Sequence, residues 1–260
     1  MVLKNIKELV KTWKHILAER IANFGKKPRL TIIQVGNEEA SNRYVNNKVK
    51  DCEEVGIKAD VHKYNKEITT MDLCEEISRF AKSSDGIMIQ LPVPPHICVD
   101  TLVSYIPAEK DVDGFRHDSW HDPATPAGIM KYLRACDFPI EGADVVVIGR
   151  SEIVGKPMAR LLTEANATVT LCHSRTKNLE DKLECADLII CAVGQPGFIK
   201  AGDYDAPIID VGINFVDGKL VGDVSGSAHN VTPVPGGVGL LTRYALLENV
   251  FESAKNRENS

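Results

Sequence analysis

The sequence predicts an α/β protein of two lobes with a cleft between them. Two series of strands alternate with helices, one over residues 30–106 and one over 127–211. This alternation is typical of parallel sheets joined by helical crossovers. Between the two series, residues 107–125 combine weak periodicity with many charges and with Pro107, Gly114 and Pro123. That composition is typical of a connection, and 260 residues suffice for two modest domains.

The first lobe is predicted to contain one three-stranded sheet. An opening helix over residues 3–24 is indicated by apolar side chains at helical spacing, including Ile6, Trp13 and Ile21. Strands and helices then alternate, with strands predicted at 30–35, 59–64 and 86–91 and helices at 38–55, 71–82 and 97–106.

The second lobe repeats the alternation and ends in a hairpin and a helix. Asp217-Gly218, between Asn214–Val216 and Lys219–Val221, is a strong hairpin signal. A final helix is predicted at 241–255, and we expect its apolar face to pack back on the first lobe. The predicted domains are therefore 1–124 with 240–260, and 125–239. The regular elements predicted in the second lobe are strands at 144–148, 168–172, 187–193 and 207–211 and helices at 127–136, 156–165 and 178–184.

Composition argues against several classes of protein. Proteins that bind the phosphate backbone of nucleic acids are usually basic, whereas this chain has a net charge of −5. No apolar stretch reaches the ~18 residues of a membrane span, and the N-terminus lacks a signal-peptide pattern. The seven cysteines occur singly, and their odd number argues against a disulfide framework. We therefore expect a cytoplasmic protein that binds neither nucleic acid nor membrane.

The most informative segment is Gly149-Arg-Ser-Glu-Ile-Val-Gly-Lys-Pro157, which directly follows the apolar run 144–148. A strand, a tight glycine turn and a helix start are the usual way in which an α/β protein holds a dinucleotide pyrophosphate. Ser151 stands where the second glycine of Gly-x-Gly-x-x-Gly would be. The segment predicts a dinucleotide site that includes Gly149, Arg150, Ser151 and Gly155.

The next strand indicates which dinucleotide is bound. An NAD site usually presents a carboxylate to the ribose 2′-hydroxyl at the end of this strand. Here the chain reads Leu171-Cys-His-Ser-Arg-Thr-Lys177, without a carboxylate. Ser174, Arg175 and Lys177 offer hydroxyl and cationic donors that would pair with a 2′-phosphate, and Arg150 could join them. NADP is therefore favoured over NAD; the alternative is a basic loop that is simply solvated.

Three features of the first lobe could carry chemistry, although each has an ordinary structural alternative. Tyr44 and Lys48 share a helix face, where a desolvated lysine could act as an acid or base, but such pairs are common on helix surfaces. Gln90 follows a strand and could face a ligand or cap a turn. Asp111 and Asp113 lie in an irregular segment, where a carboxylate could accept paired N–H bonds or remain solvated.

Taken together, the motifs resemble one family, the bifunctional methylenetetrahydrofolate dehydrogenase/cyclohydrolases. The matching segments occur in family order over nearly the whole chain. They are Tyr44-Val-Asn-Asn-Lys48, Gln90-Leu-Pro-Val-Pro94, Lys110-Asp-Val-Asp-Gly114, Gly149–Pro157, Gly194-Gln-Pro196, Asp210-Val-Gly-Ile-Asn214, Gly222-Asp-Val224 and Thr232-Pro-Val-Pro-Gly-Gly-Val-Gly239.

The resemblance implies NADP-dependent oxidation of 5,10-methylenetetrahydrofolate and hydrolysis of the methenyl product to 10-formyltetrahydrofolate. Lys48 would be the acid/base of the hydrolysis, tuned by Gln90, while Asp113 would anchor the pterin ring. The implied substrate-binding residues are Ser41, Tyr44, Asp113, Pro235, Gly236 and Gly237. The implied cofactor-binding residues, with Ile213 on the nicotinamide side and Thr242 at its edge, are Gly149, Arg150, Ser151, Gly155, Ser174, Arg175, Ile213 and Thr242.

The resemblance also implies a homodimer, formed through the second lobe, that acts in one-carbon metabolism and purine biosynthesis. The chain departs from the family pattern in starting at its first helix, in a shortened 114–126 stretch, and at Ala124 and Leu240. A dehydrogenase with weak cyclohydrolase activity and a non-catalytic NADP-binding regulator remain alternatives. His117 and His121 are four residues apart, but no third ligand is evident, so we expect no metal.

Overall fold

The computed structural model describes residues 3–226 and 228–258, which form two compact units. One unit comprises Thr125–Thr242 with the N-terminal residues up to Val10, and we call it the 125–242 unit. The other comprises Lys11–Ala124 with the residues from Arg243 onwards, and we call it the 11–124 unit. The first helix, α1 (Ile6–Phe24), and the last, α8 (Val238–Glu258), contribute residues to both units.

The 11–124 unit is built on a three-stranded parallel sheet. Its central strand β1 (Arg29–Val35) pairs with β2 (Lys58–Tyr64) on one side and β3 (Gly86–Ile89) on the other. Six of the seven β1 residues are buried, as expected of a strand covered on both faces. The order β2-β1-β3 reverses direction beside β1, where ligand crevices form outside the carboxyl ends of strands. The connecting helices are α2 (Glu39–Val55), α3 (Thr70–Phe80) and α4 (Val99–Tyr105).

The last helix completes the core of this unit. Phe251 of α8 makes an edge contact with Phe24, and their ring centroids are 5.6 Å apart. Tyr244 packs against Trp13 with centroids 5.3 Å apart. The Asn249 amide donates to the Val112 carbonyl at 2.9 Å and so ties α8 to the segment that carries Asp113.

The 125–242 unit contains a four-stranded parallel sheet in the order β5-β4-β6-β8. This is the order of a doubly wound nucleotide-binding fold, and its direction reverses between β4 and β6. The strands are β4 (Asp144–Ile148), β5 (Thr168–Cys172), β6 (Leu188–Cys191) and β8 (Ile208–Asp210), and the helices are α5 (Ala124–Ala135), α6 (Gly155–Glu164) and α7 (Leu179–Glu184).

Small elements surround the carboxyl edge of this sheet. The hairpin β9 (Asn214–Val216) and β10 (Lys219–Val221) turns at Asp217 and Gly218, both with positive φ, so the predicted hairpin is confirmed. Two short parallel strands, β7 (Ile199–Lys200) and β11 (Val224–Ser225), pair with each other and were not predicted. Two residues are too few to show a period in the sequence.

The prediction of an α/β fold with parallel sheets is confirmed. Strands β4 and β5 and both hairpin strands have the predicted bounds, and the other predicted elements differ at their ends by a few residues. The predicted connection over 107–125 is mostly irregular. It contains one turn of 3-10 helix at Ala108–Lys110, and the described helix α5 already begins at Ala124.

Candidate active site

Lys48 and Gln90 are in direct contact in the 11–124 unit. Lys48 lies on α2, and its Nζ donates to Gln90 Oε1 at 3.0 Å and lies 3.6 Å from Met88 Sδ. Gln90 follows β3 directly, and its backbone N–H extends the sheet to the Ile33 carbonyl at 2.8 Å. Its own amide N–H donates to the Leu91 carbonyl at 2.7 Å, which leaves the oxygen for Lys48.

Burial perturbs both ionisable groups at this position. The pKa of Lys48 is lowered, chiefly because burial disfavours the ammonium form, and Arg243 lowers it further. The negative charge of Asp113 opposes that shift, whereas the neighbouring Cys52 thiol, whose pKa burial raises to about 12, stays neutral near pH 7. Burial raises the pKa of Asp113 to about 6, although Lys48 acts against the change. The site therefore holds a lysine that deprotonates more easily than usual beside a carboxyl group that titrates near neutral pH.

Tyr44 and Ser41 precede Lys48 on the same helix. Tyr44 is one turn before Lys48 and is partly buried, which raises the pKa of its phenol. Ser41 is buried and accepts from the Gln34 amide at 3.2 Å. This part of α2 therefore presents an aromatic ring and an amine within two helical turns.

A buried ion cluster, which was not predicted from the sequence, supports this helix. Asp51 is one turn beyond Lys48 and accepts from Lys14 Nζ at 2.5 Å. Its other oxygen lies 2.7 Å from Arg243 Nη1. Two cations thus share one buried carboxylate. The spacing of Tyr44, Lys48 and Asp51 places them on one helix face, and this pattern could have indicated that Asp51 belongs to the site. Its partners, Lys14 and Arg243, are distant in sequence and could not be predicted from a local pattern.

In the 125–242 unit, the glycine turn after β4 leads directly into α6. A Cβ on Gly155 would lie 2.0 Å from the Gly149 carbonyl oxygen, so only glycine fits at the helix start. Ser151 Oγ accepts from the Val154 and Gly155 N–H groups at 3.2 and 3.3 Å. Ser151 therefore braces the turn with its side chain, at the position where the usual motif has its second glycine. This cradle fits a dinucleotide pyrophosphate.

The predicted 2′-phosphate contacts lie beside this turn. Ser174 and Arg175 follow β5, which is the neighbour of β4, and both are exposed. The turn is held by the Thr176 hydroxyl, which accepts from the His173 N–H at 2.8 Å, and by the His173 ring, which accepts from the Arg175 N–H at 3.1 Å. Arg150 is also exposed. These donors fit the extra phosphate of NADP.

The other predicted cofactor and substrate residues lie in the same unit. Ile213 is 49% exposed between β8 and the hairpin. Gly237 is buried, Gly236 has a φ of 99°, and Pro235 is exposed. Thr242 Oγ1 is 2.9 Å from Thr125 Oγ1 and donates to the Val238 carbonyl at 3.1 Å.

The two histidines considered as metal ligands do not lie on a helix. His121 Nε2 is hydrogen-bonded to Ser253 Oγ at 2.7 Å, and burial lowers the pKa of this histidine. Within residues 3–226 and 228–258, no group of three or more His, Cys, Asp or Glu side chains could hold a metal ion. No helix in the same ranges is both long and apolar enough to cross a membrane.

Two family models cover most of the chain. Residues 2–113 match the tetrahydrofolate dehydrogenase/cyclohydrolase catalytic domain, and residues 123–258 match the NAD(P)-binding domain of the same family. The chain belongs to the tetrahydrofolate dehydrogenase/cyclohydrolase family. The resemblance stated from the motifs is thereby confirmed, as is the prediction of an NADP-dependent methylenetetrahydrofolate dehydrogenase/cyclohydrolase.

Individual relatives agree with the family assignment. The chain is 41% identical to the bifunctional protein FolD of Bdellovibrio bacteriovorus, with 96% of each chain covered. It is 44% identical to that of Campylobacter hominis, with 97% of this chain and 94% of the relative covered.

Solved structures show the same fold. The FolD crystal structure from Campylobacter jejuni has a TM-score of 0.92 at 41% identity and covers 97% of this chain and 98% of its own. The Trypanosoma brucei enzyme, solved with NADP cofactor and inhibitor, has a TM-score of 0.92 at 31% identity and covers 100% of this chain and 99% of its own.

Proposed function

We propose that Lys48 is the acid/base of methenyltetrahydrofolate hydrolysis and that Gln90 holds it in place. The observation that carries this proposal is the 3.0 Å bond from Lys48 Nζ to Gln90 Oε1, made by a lysine whose pKa is lowered by burial. A fraction of neutral amine is needed for general base catalysis near neutral pH. This hydrogen bond fixes the direction of one N–H group of the Lys48 amine. The remaining positions on Nζ are left to contact the substrate and the attacking water.

In the hydrolysis, water attacks the methenyl carbon, and the adduct then opens. The water oxygen forms a bond to this carbon, and the bond from the carbon to one ring nitrogen breaks. Lys48 accepts a proton from the water and returns a proton to the leaving nitrogen, while the second water proton goes to solvent. Tyr44 lies against the folate, and Ser41 supports the helix turn before it. Asp113, buried and close to Lys48, accepts N–H bonds from the pterin ring.

The dehydrogenation needs alignment rather than proton transfer. NADP, when bound, supplies the nicotinamide that accepts a hydride from the methylene carbon. Residues of the 125–242 unit orient the cofactor. The Gly149–Gly155 turn, which includes Arg150 and Ser151, holds the pyrophosphate. Ile213 and the Pro233–Gly237 loop line the nicotinamide side, with Thr242 at its edge. Positioning alone can supply much of the rate of such a step.

We propose a preference for NADP over NAD, because the segment that follows β5, residues 173–177, carries no carboxylate and cationic and hydroxyl donors lie at this edge. The donors are Arg150, Ser174 and Arg175.

We also propose that residues 1–124 with 240–260 form the folate domain and that 125–239 form the NADP domain. The family-model bounds at 113 and 123 support the boundary between 124 and 125. The contacts of Tyr244 with Trp13 and of Phe251 with Phe24 support grouping the last helix with the folate domain, whereas the N-terminal residues up to Val10 belong to the 125–242 unit.

We further propose a cytoplasmic homodimer that acts in purine biosynthesis. The hairpin supports the dimer, because Phe215 and Val216 are 52% and 41% exposed on it. Consecutive residues of a strand point to opposite faces, so the hairpin exposes an apolar side chain on each face, and a second chain would cover at least one of them. Sedimentation of the protein at micromolar concentration tests this proposal, and a monomer would contradict it.

One assay tests the catalytic proposal as a whole. NADP and 5,10-methylenetetrahydrofolate are mixed with the enzyme, and the NADPH and methenyl absorption bands are followed separately. We expect NADPH to form while the methenyl band stays low, because hydrolysis removes the intermediate. A methenyl band that rises in step with NADPH would indicate the alternative of a dehydrogenase with weak cyclohydrolase activity.

A further inference from the structure

A fully buried carboxylate joins two loops at the carboxyl edge of the four-stranded sheet. Asp223 accepts from three successive backbone N–H groups that follow β6, those of Val193, Gly194 and Gln195, at 2.7, 2.9 and 2.8 Å. It also accepts from the Asn214 side-chain amide at 2.9 Å, at the start of the hairpin. Four donors thus converge on one side chain that is 0% exposed.

A second carboxylate lies behind the first. Asp210, the last residue of β8, accepts from the N–H groups of Gly212, Asp223 and Val224 at 2.9, 2.9 and 3.0 Å. Burial raises the pKa of Asp210, and these backbone donors oppose the shift. Asp210 therefore fixes the backbone on both sides of the segment that carries Asp223.

Two glycines make room for this pair. A Cβ on Gly222 would lie 1.8 Å from Asp210 Oδ2, and one on Gly212 would lie 2.3 Å from Asp223 Oδ1. Neither position tolerates a side chain while the carboxylates keep their bonds. The motifs Asp210-Val-Gly-Ile-Asn214 and Gly222-Asp-Val224 are therefore two halves of one arrangement.

The loops that the pair joins lie where a dinucleotide is expected. Val193–Gln195 follows β6, and the Gly149 turn follows β4, so they flank the point at which the strand order reverses. The Gly149 turn also touches the loop before Val193, since a Cβ on Gly149 would lie 2.1 Å from the Ala192 carbonyl oxygen. Ile213 is held on both sides. The N–H of Gly212, before it, donates to Asp210, and the side-chain amide of Asn214, after it, donates to Asp223.

We propose that Asp223, supported by Asp210, is a positioning residue for the hydride-transfer step. Its carboxylate sets the Val193–Gln195 loop and Ile213 at a fixed separation, and so orients the nicotinamide side of the cofactor. This inference rests on the proposed function of Ile213. The three converging N–H groups would otherwise form an anion-binding concavity. Because Asp223 fills it, the cofactor phosphates are left to the Gly149–Gly155 turn.

The variant Asp223→Asn tests this inference, because it keeps the shape but replaces one acceptor oxygen with an amide donor facing backbone N–H groups. We expect the dehydrogenase kcat to fall at least fivefold. The affinity for adenosine 2′,5′-bisphosphate, measured by calorimetry, should change less than twofold, because this probe contacts only the phosphate side. Amide hydrogen exchange at residues 193–195 should accelerate. Methenyl hydrolysis, which uses no dinucleotide, should be unchanged.

Asp187→Asn is the matched control. Asp187 also accepts a backbone N–H, that of Asp144 at 2.8 Å, but at the opposite edge of the same sheet. If Asp223→Asn does not fold, Asn214→Ala removes one of the four donors and should show the same selective loss.

Two results would overturn the inference. One is a dehydrogenase kcat that falls less than fivefold. The other is a loss of affinity for adenosine 2′,5′-bisphosphate as large as the loss of kcat, which would show that the pair only maintains the fold. An unmutated enzyme without NADP-dependent activity would instead reject the proposed function.

Discussion

The Lys48 ammonium donates to the Gln90 side-chain oxygen at 3.0 Å, although the two residues are 42 positions apart in the chain. The contact exists because α2 connects β1 to β2, and the Lys48 side chain reaches from it to Met88 on β3 and to Gln90 at the carboxyl end of that strand. Gln90 is itself held by a backbone bond to Ile33 and by a side-chain bond to Leu91. A lysine held by a rigid amide has a defined direction, which an acid/base residue needs.

The first prediction concerns Lys48→Met, which keeps most of the side-chain volume and removes the amine. We expect hydrolysis of methenyltetrahydrofolate to fall by about 100-fold or more, in the range typical of a lost general acid/base. Dehydrogenase activity should survive in part, since that step transfers no proton, and the methenyl product should accumulate. Both activities are measured spectrophotometrically.

Lys50→Met is the matched control for this variant. Lys50 is exposed on the same helix, two residues further on, so its loss should leave both activities near the unmutated values. Hydrolysis at the full rate in Lys48→Met would contradict the proposed role and would assign proton transfer to another group.

The second prediction concerns the pH dependence of stability that Asp113 creates. Its pKa is raised from 3.8 to about 6 in the folded protein. A carboxyl group with a raised pKa stabilises the fold below pH 3.8 and loses that contribution as the pH rises through about 6. Asp113→Asn cannot ionise. The difference in free energy of unfolding, variant minus unmutated protein, should therefore increase between pH 4 and 7, by at most about 3 kcal/mol.

Denaturant titrations of both proteins over this pH range measure the difference. Asp100→Asn, at an exposed position of α4, is the control and should give a flat difference. A flat or falling difference for Asp113→Asn would show that Asp113 is not stabilised in its neutral form. The same variant should lose both activities, because the proposed pterin contact serves both steps.

Much of the fold could be predicted from periodicity, because both parallel sheets use buried strands bounded by glycine, proline and polar residues. The glycine turn at Gly149 could be located from its position after an apolar run. Short strands could not be found this way. β7 and β11 exist because their two-residue pairing is fixed by tertiary contacts, such as the Asp210 bond to the Val224 N–H.

The candidate site was predictable only where a motif carries it. Lys48, Gln90 and Asp113 were singled out through local patterns and a family resemblance. Asp51 and Arg243 were not, because their pairing joins α2 to α8 and neither residue belongs to a recognised motif. Asp223 was quoted within a motif, but its role depends on three N–H groups about thirty residues earlier, which no local pattern reveals.

The third prediction concerns Arg243, which lowers the pKa of Lys48 and is held by Asp51. Replacing it in Arg243→Met removes a positive charge from the surroundings of Lys48. The Asp113 carboxylate, which raises the lysine pKa, then acts without that opposition. The pKa of Lys48 should therefore rise. Cyclohydrolase activity increases as Lys48 loses its proton, and we expect this increase to occur at higher pH in the variant.

A pH–rate profile of the methenyl hydrolysis measures this shift. Arg257→Met is the control, because Arg257 lies on the same helix and pairs with Asp85 at 3.1 Å, far along the helix from Arg243. An unchanged profile in Arg243→Met would mean that the arginine charge does not act on Lys48.

The last prediction concerns the choice of dinucleotide. A 2′-phosphate contact to a cation contributes about 1.5–3 kcal/mol when it is well formed, and exposure of Arg150 and Arg175 reduces this value. We expect Arg175→Gln and Arg150→Gln each to raise KM for NADP by roughly five- to tenfold, with little change for NAD, which lacks the phosphate. Lys200→Gln, at an exposed position of β7 in the same unit, is the control for general loss of positive charge. Steady-state kinetics with each dinucleotide separate the cases. An equal rise of KM for NADP and NAD would place the arginines on a phosphate that both cofactors share, and the preference for NADP would then have to come from Ser174 and Lys177.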